Sequence, residues 1–425
     1  MLPGGNARHT VHTDPHPVYA VAARGCRVVD ADGVERLDAI NNQTSQIHGH
    51  AHPDVVAAIA DQAARLGAVA LPTIPEIELA ELLCERVPSV DRVRFANSGS
   101  EAVMHAVKAA RRLTGRRLVV KIEGAYHGAW DTAQVSVAAA PDAWGDPARP
   151  TSVAGPGVSP GVAADVVVVP VDDPTAAAAI VREHGDHVAA VLVDACLPEM
   201  RYLEPTDDLL AGLAAAAADV GALLVADEVF SFRLGFAGSL ARRGIVADLT
   251  AFGKVIGGGL AVGALGGRAD VMDELFDPRG RVPALPHAGT FNANPITMAA
   301  GVATLRAWTA DEVARLDALG GRLRAGLRAA IADAGADAQV RGTANVACVV
   351  PTAAPYAGPR SLHAALEAAD GAARSAALFA ALLDGGVLAG PRGHLALSTP
   401  MGEAEVDELV ARTHAALAAL APVAA

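Results

Sequence analysis

Residues 222–229 read ALLVADEV, five apolar residues followed by Asp227 and Glu228. An unbroken apolar run of this length is the pattern of a strand buried on both faces, as in a parallel sheet covered by helices. Neighbouring segments repeat it: VRFA (93–96), LVVKI (118–122), DVVVVPV (165–171), AAVLVDA (189–195) and LTAFGK (249–254). Helical patterns such as SEAVMHAVKAARRLTG (100–115) and LLAGLAAAAADVG (209–221) separate these runs. The alternation predicts an α/β core with a mostly parallel sheet. LAVGALGGR (260–268) follows LTAFGK so closely that an antiparallel partner strand is expected.

Outside this core the order of patterns changes. Helical patterns at 311–334 and 402–420 flank strand-like QVRGTANVACVVP and HLALSTP, which predicts a smaller α+β domain beginning near residue 310. The N-terminal RVVDADGVERLDAI reads as a hairpin turning at Asp32-Gly33 and is assigned to the same small domain. The expected organisation is an N-terminal segment 1–50, a large domain 51–309 and a C-terminal small domain 310–425. The Ala/Pro/Gly/Ser-rich stretch 136–163 has no period and reads as a long loop.

The 425 residues are 52% hydrophobic and carry a formal net charge of -13 with no basic run, which argues against nucleic acid or an anionic membrane as partner. Neither a transmembrane helix nor a secretory signal is evident, so a cytoplasmic location is expected. Cys26, Cys84, Cys196 and Cys348 are widely spaced and read as buried thiols. The alternating His48, His50 and His52 would face one way on a strand, but no acidic or cysteine ligand flanks them, and no metal is expected.

Lysine is nearly absent: Lys108, Lys121 and Lys254 are the only three. Lys108 and Lys121 read as solvated residues. Lys254 ends a strand and precedes glycines 257–259, where backbone can approach a ligand closely. Asp248 and Val255 break the P-loop pattern, and Ala251 breaks S-x-x-K. A strand-end amine is left with the use of a Schiff-base nucleophile.

Three further groups join it. Asn97-Ser98-Gly99-Ser100 lies between a strand and a helix striped by Val103, Ala106, Val107 and Ala110. Ser98 to Glu101 is a capping box, and the same free amides and hydroxyls suit a phosphate. Asp227 and Glu228 sit at a strand end, where such carboxylates either cap the next loop or meet a cation. Tyr126, beside His127 in GAYHGAW, offers a ring for stacking. Phosphate loop, aromatic ring, buried carboxylate and Schiff-base lysine together specify pyridoxal 5'-phosphate (PLP).

The ordered set NSGSEA, YHG, ADEV, FGKVIGGGLAVGALGG and HAGTFNANPITMAAG resembles the class III (subgroup II) aminotransferases of PLP fold type I, in the branch that holds glutamate-1-semialdehyde aminomutase. The resemblance implies a large domain with a mostly parallel seven-stranded sheet, a smaller α+β domain, and a homodimer with active sites at its interface. It implies a ping-pong transfer of an amino group from amino acid to keto acid through aldimine and ketimine stages. Lys254 is then the covalent anchor and proton carrier, and Asp227 the partner of the cofactor's ring nitrogen. Ser98, Gly99 and Ser100 hold the phosphate, Tyr126 and Val229 flank the ring, and Thr290 reaches the neighbouring subunit's phosphate.

PGGNARHT, DEVFSFRL and GPRGHLALSTPM resemble the β-phenylalanine type within that branch, which makes Arg8 and Arg392 the substrate-carboxylate candidates. Asp194-Ala195 departs from the usual Glu-Pro and leaves substrate choice less fixed than cofactor choice. The alternatives are an intramolecular 1,2-aminomutase, an amino acid racemase or epimerase, and a non-catalytic binding module.

Overall fold

The computed structural model describes residues 1–13, 16–279 and 282–420. The chain divides into two compact units, one of residues 54–310 with 356–362, the other of residues 1–53, 311–355 and 363–425. The expected 310–425 segment is thus shared between the units, and its last five residues lie outside the described ones.

Seven strands form the sheet of the larger unit: β1 Arg92–Ala96, β2 Leu118–Ile122, β3 Val166–Val169, β4 Val188–Val193, β5 Leu223–Asp227, β6 Leu249–Gly253 and β7 Gly263–Gly267. Their order across the sheet is β1-β7-β6-β5-β4-β2-β3. β7 runs antiparallel to both neighbours and the other pairings are parallel. The apolar runs become strands because helices cover them: all residues of β2, β4, β6 and β7 are buried. Helix α1, Gly99–Thr114, lays Val103, Ala106, Val107 and Ala110 on that sheet. Ser98 Oγ caps it by accepting Glu101 N–H, and Gly115, at φ 68°, ends it in the left-handed conformation.

Two expectations need correction. Lys121 is not solvated: it points into the protein from β2, with 1% of its surface exposed. The surrounding text LVVKI is too apolar to leave any position of that strand in water. The stretch 136–163 is not one featureless loop, because Gly145–Asp146 pairs with Arg149–Pro150 and Pro160–Ala163 makes a helical turn. Within the same unit, Arg360 forms an ion pair with Glu123 and donates to the carbonyls of Trp144 and Gly145.

In the smaller unit Arg27–Asp30 and Glu35–Asp38 form the hairpin, with Gly33 at φ 79° in its turn. Val387–Leu388 joins it in parallel, while Gln339–Arg341, Val346–Val350 and His394–Ala396 make an antiparallel sheet. His48 and His52 are not on a strand. His50 makes a single bridge to Gly25, and its Nε2 lies 2.7 Å from Asp38 Oδ2.

Candidate active site

The C-terminal ends of the parallel strands gather the chemistry. Asp227 closes β5 opposite Ala251 of β6, and Lys254 follows β6 directly. Asp227 is 4% exposed. Its Oδ1 accepts Val229 N–H at 3.0 Å, and its Oδ2 lies 2.8 Å from His127 Nδ1. A carboxylate so buried is stable only with such partners. Glu228 behaves differently: it accepts the amides of Ser239 and Leu240 and so orients the following loop, while burial pushes its pKa up to about 7. Of the two readings of the acidic pair, Glu228 takes the structural one.

Lys254 is half-buried, and its backbone is left-handed at φ 49°. A side chain in that region costs about 1–2 kcal/mol, a strain held by the buried β6 on one side and the turn 254–257 on the other. Its Nζ stands 5.5 Å over the Phe230 ring and, among the described residues, makes no hydrogen bond or ion pair. Burial lowers the pKa of the amine, while the charges of Asp227 and Asp194 pull it back up. A larger share of neutral amine is what nucleophilic attack requires.

The N-terminus of α1 lies beside this strand end. A Cβ on Gly99 would collide with the methyls of Val229, and one on Gly263 would meet the carbonyl of Ser98. Glycine at 99 therefore lets the helix start press against Val229. The Gly99 and Ser100 amides precede the hydrogen-bond ladder of α1 and are left for an anion, while Glu101 N–H is taken by Ser98 Oγ. Ser100 Oγ accepts Ala129 N–H at 3.1 Å, joining the helix to the turn that carries Tyr126 and His127. Tyr126 is 43% exposed, with its pKa raised by burial and by Glu199 and Asp227.

The expected residues Ser98, Gly99, Ser100, Tyr126, Asp227, Val229 and Lys254 all belong to the larger unit. Thr290, in the same unit, is exposed. Arg8 and Arg392 belong to the smaller unit and are exposed; Arg8 Nη1 donates to Asn42 Oδ1 at 2.8 Å. His127, 1% exposed, was given no role by the sequence, although its place one residue after Tyr126 was the available signal. Asp194 is the other unassigned member. It follows β4 beside β5, accepts Cys196 N–H at 3.0 Å, and is held well above the usual carboxylate range by burial and by the charge of Asp227.

A family described as Aminotransferase class-III matches residues 9–408. A glutamate-1-semialdehyde 2,1-aminomutase of Thermomicrobium roseum is 42% identical over 308 residues, which is 72% of this chain and 68% of that protein. An omega-transaminase from Sphaerobacter thermophilus superposes with a TM-score of 0.93 at 43% identity, covering 98% of this chain and 94% of the other. A beta-phenylalanine aminotransferase from Variovorax paradoxus gives 0.84 at 35% identity, covering 97% and 90%. Among the described residues no helix is long and apolar enough to cross a membrane.

Proposed function

This chain belongs to the class-III aminotransferase family, and on that premise we propose that it is a PLP-dependent transaminase acting by preference on β-amino acids. The observation that carries the reading is the placement of Lys254 and Asp227 at the ends of two adjacent strands, beside the start of α1. The donor set fits PLP. An amine of lowered pKa suits its aldehyde, a buried carboxylate suits its ring N–H, and a helix start with Ser98 and Ser100 suits its phosphate. When bound, PLP supplies an electron-accepting ring and an aldehyde carbon.

The chain's own residues supply the rest. Lys254 Nζ provides the covalent anchor and afterwards carries the proton at the reacting carbon. Asp227 keeps the ring nitrogen protonated, with His127 Nδ1–H orienting its other oxygen. Gly99, Ser98 and Ser100 hold the phosphate. Tyr126 and Val229 are proposed to cover the two faces of the ring, and Thr290 to complete the phosphate site of a second copy in a cytoplasmic homodimer. Arg8 and Arg392 are proposed to meet substrate carboxylates, where a guanidinium fork gives paired bonds.

The preference for β-amino acids is supported by the near full-length likeness to the omega-transaminase and the β-phenylalanine aminotransferase. The likeness to the aminomutase supports a second reading, in which the amine returns to the same carbon skeleton. Titrating the PLP-loaded protein with α- and β-amino acids separates them. Bleaching of the visible cofactor band by β-amino acids, with release of the matching keto product, is the expected result. A band that only an amino-aldehyde substrate bleaches, with no amine lost to a keto acid, would establish the mutase instead.

A further inference from the structure

Lys121 is a buried amine that the transaminase reading leaves without a task. It sits in β2, and its Nζ donates to the carbonyls of Ala133 and Val135, each at 2.8 Å. Ala133 lies within, and Val135 just after, the helical turn Asp131–Gln134, whose last carbonyls have no donors within the turn. An amine inside an otherwise apolar strand is unfavourable unless its donors are used. Here it ties the far end of the excursion 123–136 to the strand from which that excursion leaves.

The excursion bears directly on the site. It carries Tyr126, it brings His127 Nδ1 to Asp227 Oδ2, and its Ala129 N–H reaches Ser100 Oγ. Gly124 N–H closes its base on the carbonyl of Ser136 at 2.9 Å. Trp130 Nε1 donates to the carbonyl of His127, and Gln134 Nε2 to that of Gly128. The turn at His127 is therefore braced against the segment 130–134, and that segment is braced against Lys121. Burial lowers the pKa of the His127 ring against the pull of Asp227, and charge on Lys121 acts in the same direction as burial.

We propose that Lys121 is a positioning residue of the cofactor site: by holding the Ala133 and Val135 carbonyls it sets the Tyr126–His127 turn and, through His127, the orientation of Asp227. The inference rests on the PLP reading for its consequence, and on the two hydrogen bonds for its cause.

The test compares wild type, Lys121→Met and Lys121→Gln. Three quantities are measured: amide hydrogen exchange of residues 124–136 in the apoprotein, the dissociation constant for PLP, and the induced circular dichroism of the visible band. In Lys121→Met, exchange across 124–136 rises about tenfold or more, as the loss of buried hydrogen bonds requires, while Val188–Val193 stays protected. The PLP dissociation constant rises by about the same factor and the induced dichroism falls. Lys121→Gln, a shorter donor, recovers part of each change.

Unchanged exchange overturns the proposal. So does faster exchange with wild-type affinity and dichroism, which would make Lys121 a support for the loop alone. Should Lys121→Met not fold, Lys121→Gln carries the comparison, and wild-type values in all three measurements overturn the proposal. Failure of the wild type to take up PLP would instead remove the cofactor reading, while the exchange data would still judge the tether.

Discussion

His127 Nδ1 lies 2.8 Å from Asp227 Oδ2, with side-chain exposures of 1% and 6%. A pair so enclosed has no water to replace either partner, so the histidine proton and the carboxylate define each other's orientation. Because Val229 N–H holds the second oxygen, Asp227 is fixed from two directions by residues of the larger unit.

Replacing Asp227 by Asn keeps the size of the side chain and removes its charge. A charge-assisted hydrogen bond contributes about 1.5–3 kcal/mol, so kcat of Asp227→Asn is expected to fall about ten- to a hundredfold. Steady-state transamination measures it, and near-normal turnover would remove Asp227 from its assigned role.

Lys254→Ala is expected to abolish turnover while retaining PLP through the phosphate site. Absorption spectroscopy should show cofactor bound but not lysine-linked. Persistent transamination in this variant would eliminate Lys254 as the reacting amine.

Gly99→Ala places a methyl among those of Val229. Overpacking of this kind costs about 1–3 kcal/mol, to be read from urea unfolding. PLP affinity should fall as well, since the added methyl pushes the helix start away from Val229. An unchanged midpoint and affinity would show that this approach of helix and strand has slack.

Stability should rise with pH through a window set by Lys121. Burial lowers its pKa from 10.5 to about 7 in the folded chain. Between those values the unfolded chain holds a proton that the folded chain has released, so raising the pH favours folding. Urea unfolding of wild type at pH 7 and 9 should show the gain, and Lys121→Met should lose most of it. An equal pH dependence in the two proteins would contradict the assignment.

Arg8→Ala and Arg392→Ala should raise KM for carboxylate-bearing substrates by about tenfold or more, the loss expected for a paired guanidinium contact, with a smaller effect on amines lacking a carboxylate. Equal effects on both substrate classes would make the arginines structural.

The sheet was legible because its central strands are buried on both faces: β4 reads VAAVLV and β5 LLVAD, and such runs have few alternatives. Lys254 stood out because lysine is so scarce. Lys121 was misread because a lone lysine in LVVKI looks like an edge residue until the carbonyls of Ala133 and Val135, twelve and fourteen residues on, are seen to meet it. His127 escaped for a similar reason: its partner lies 100 positions away. Asp194 was noticed only as a departure in sequence, and its closeness to Asp227 depends on the pairing of β4 with β5. Local pattern shows what an element is; pairings across the sheet show which side chains it delivers to a site.

The left-handed backbone at Lys254 sets folding and chemistry against each other at a single position. Glycine would occupy that conformation without the strain of a side chain, and it would also remove a half-buried amine that has no hydrogen bond among the described residues. A Lys254→Gly chain should therefore melt no lower than wild type while being inert. Any scheme that improves this protein by selecting for thermal endurance alone, with no screen for turnover, will drift toward discarding the one amine on which its proposed catalysis depends.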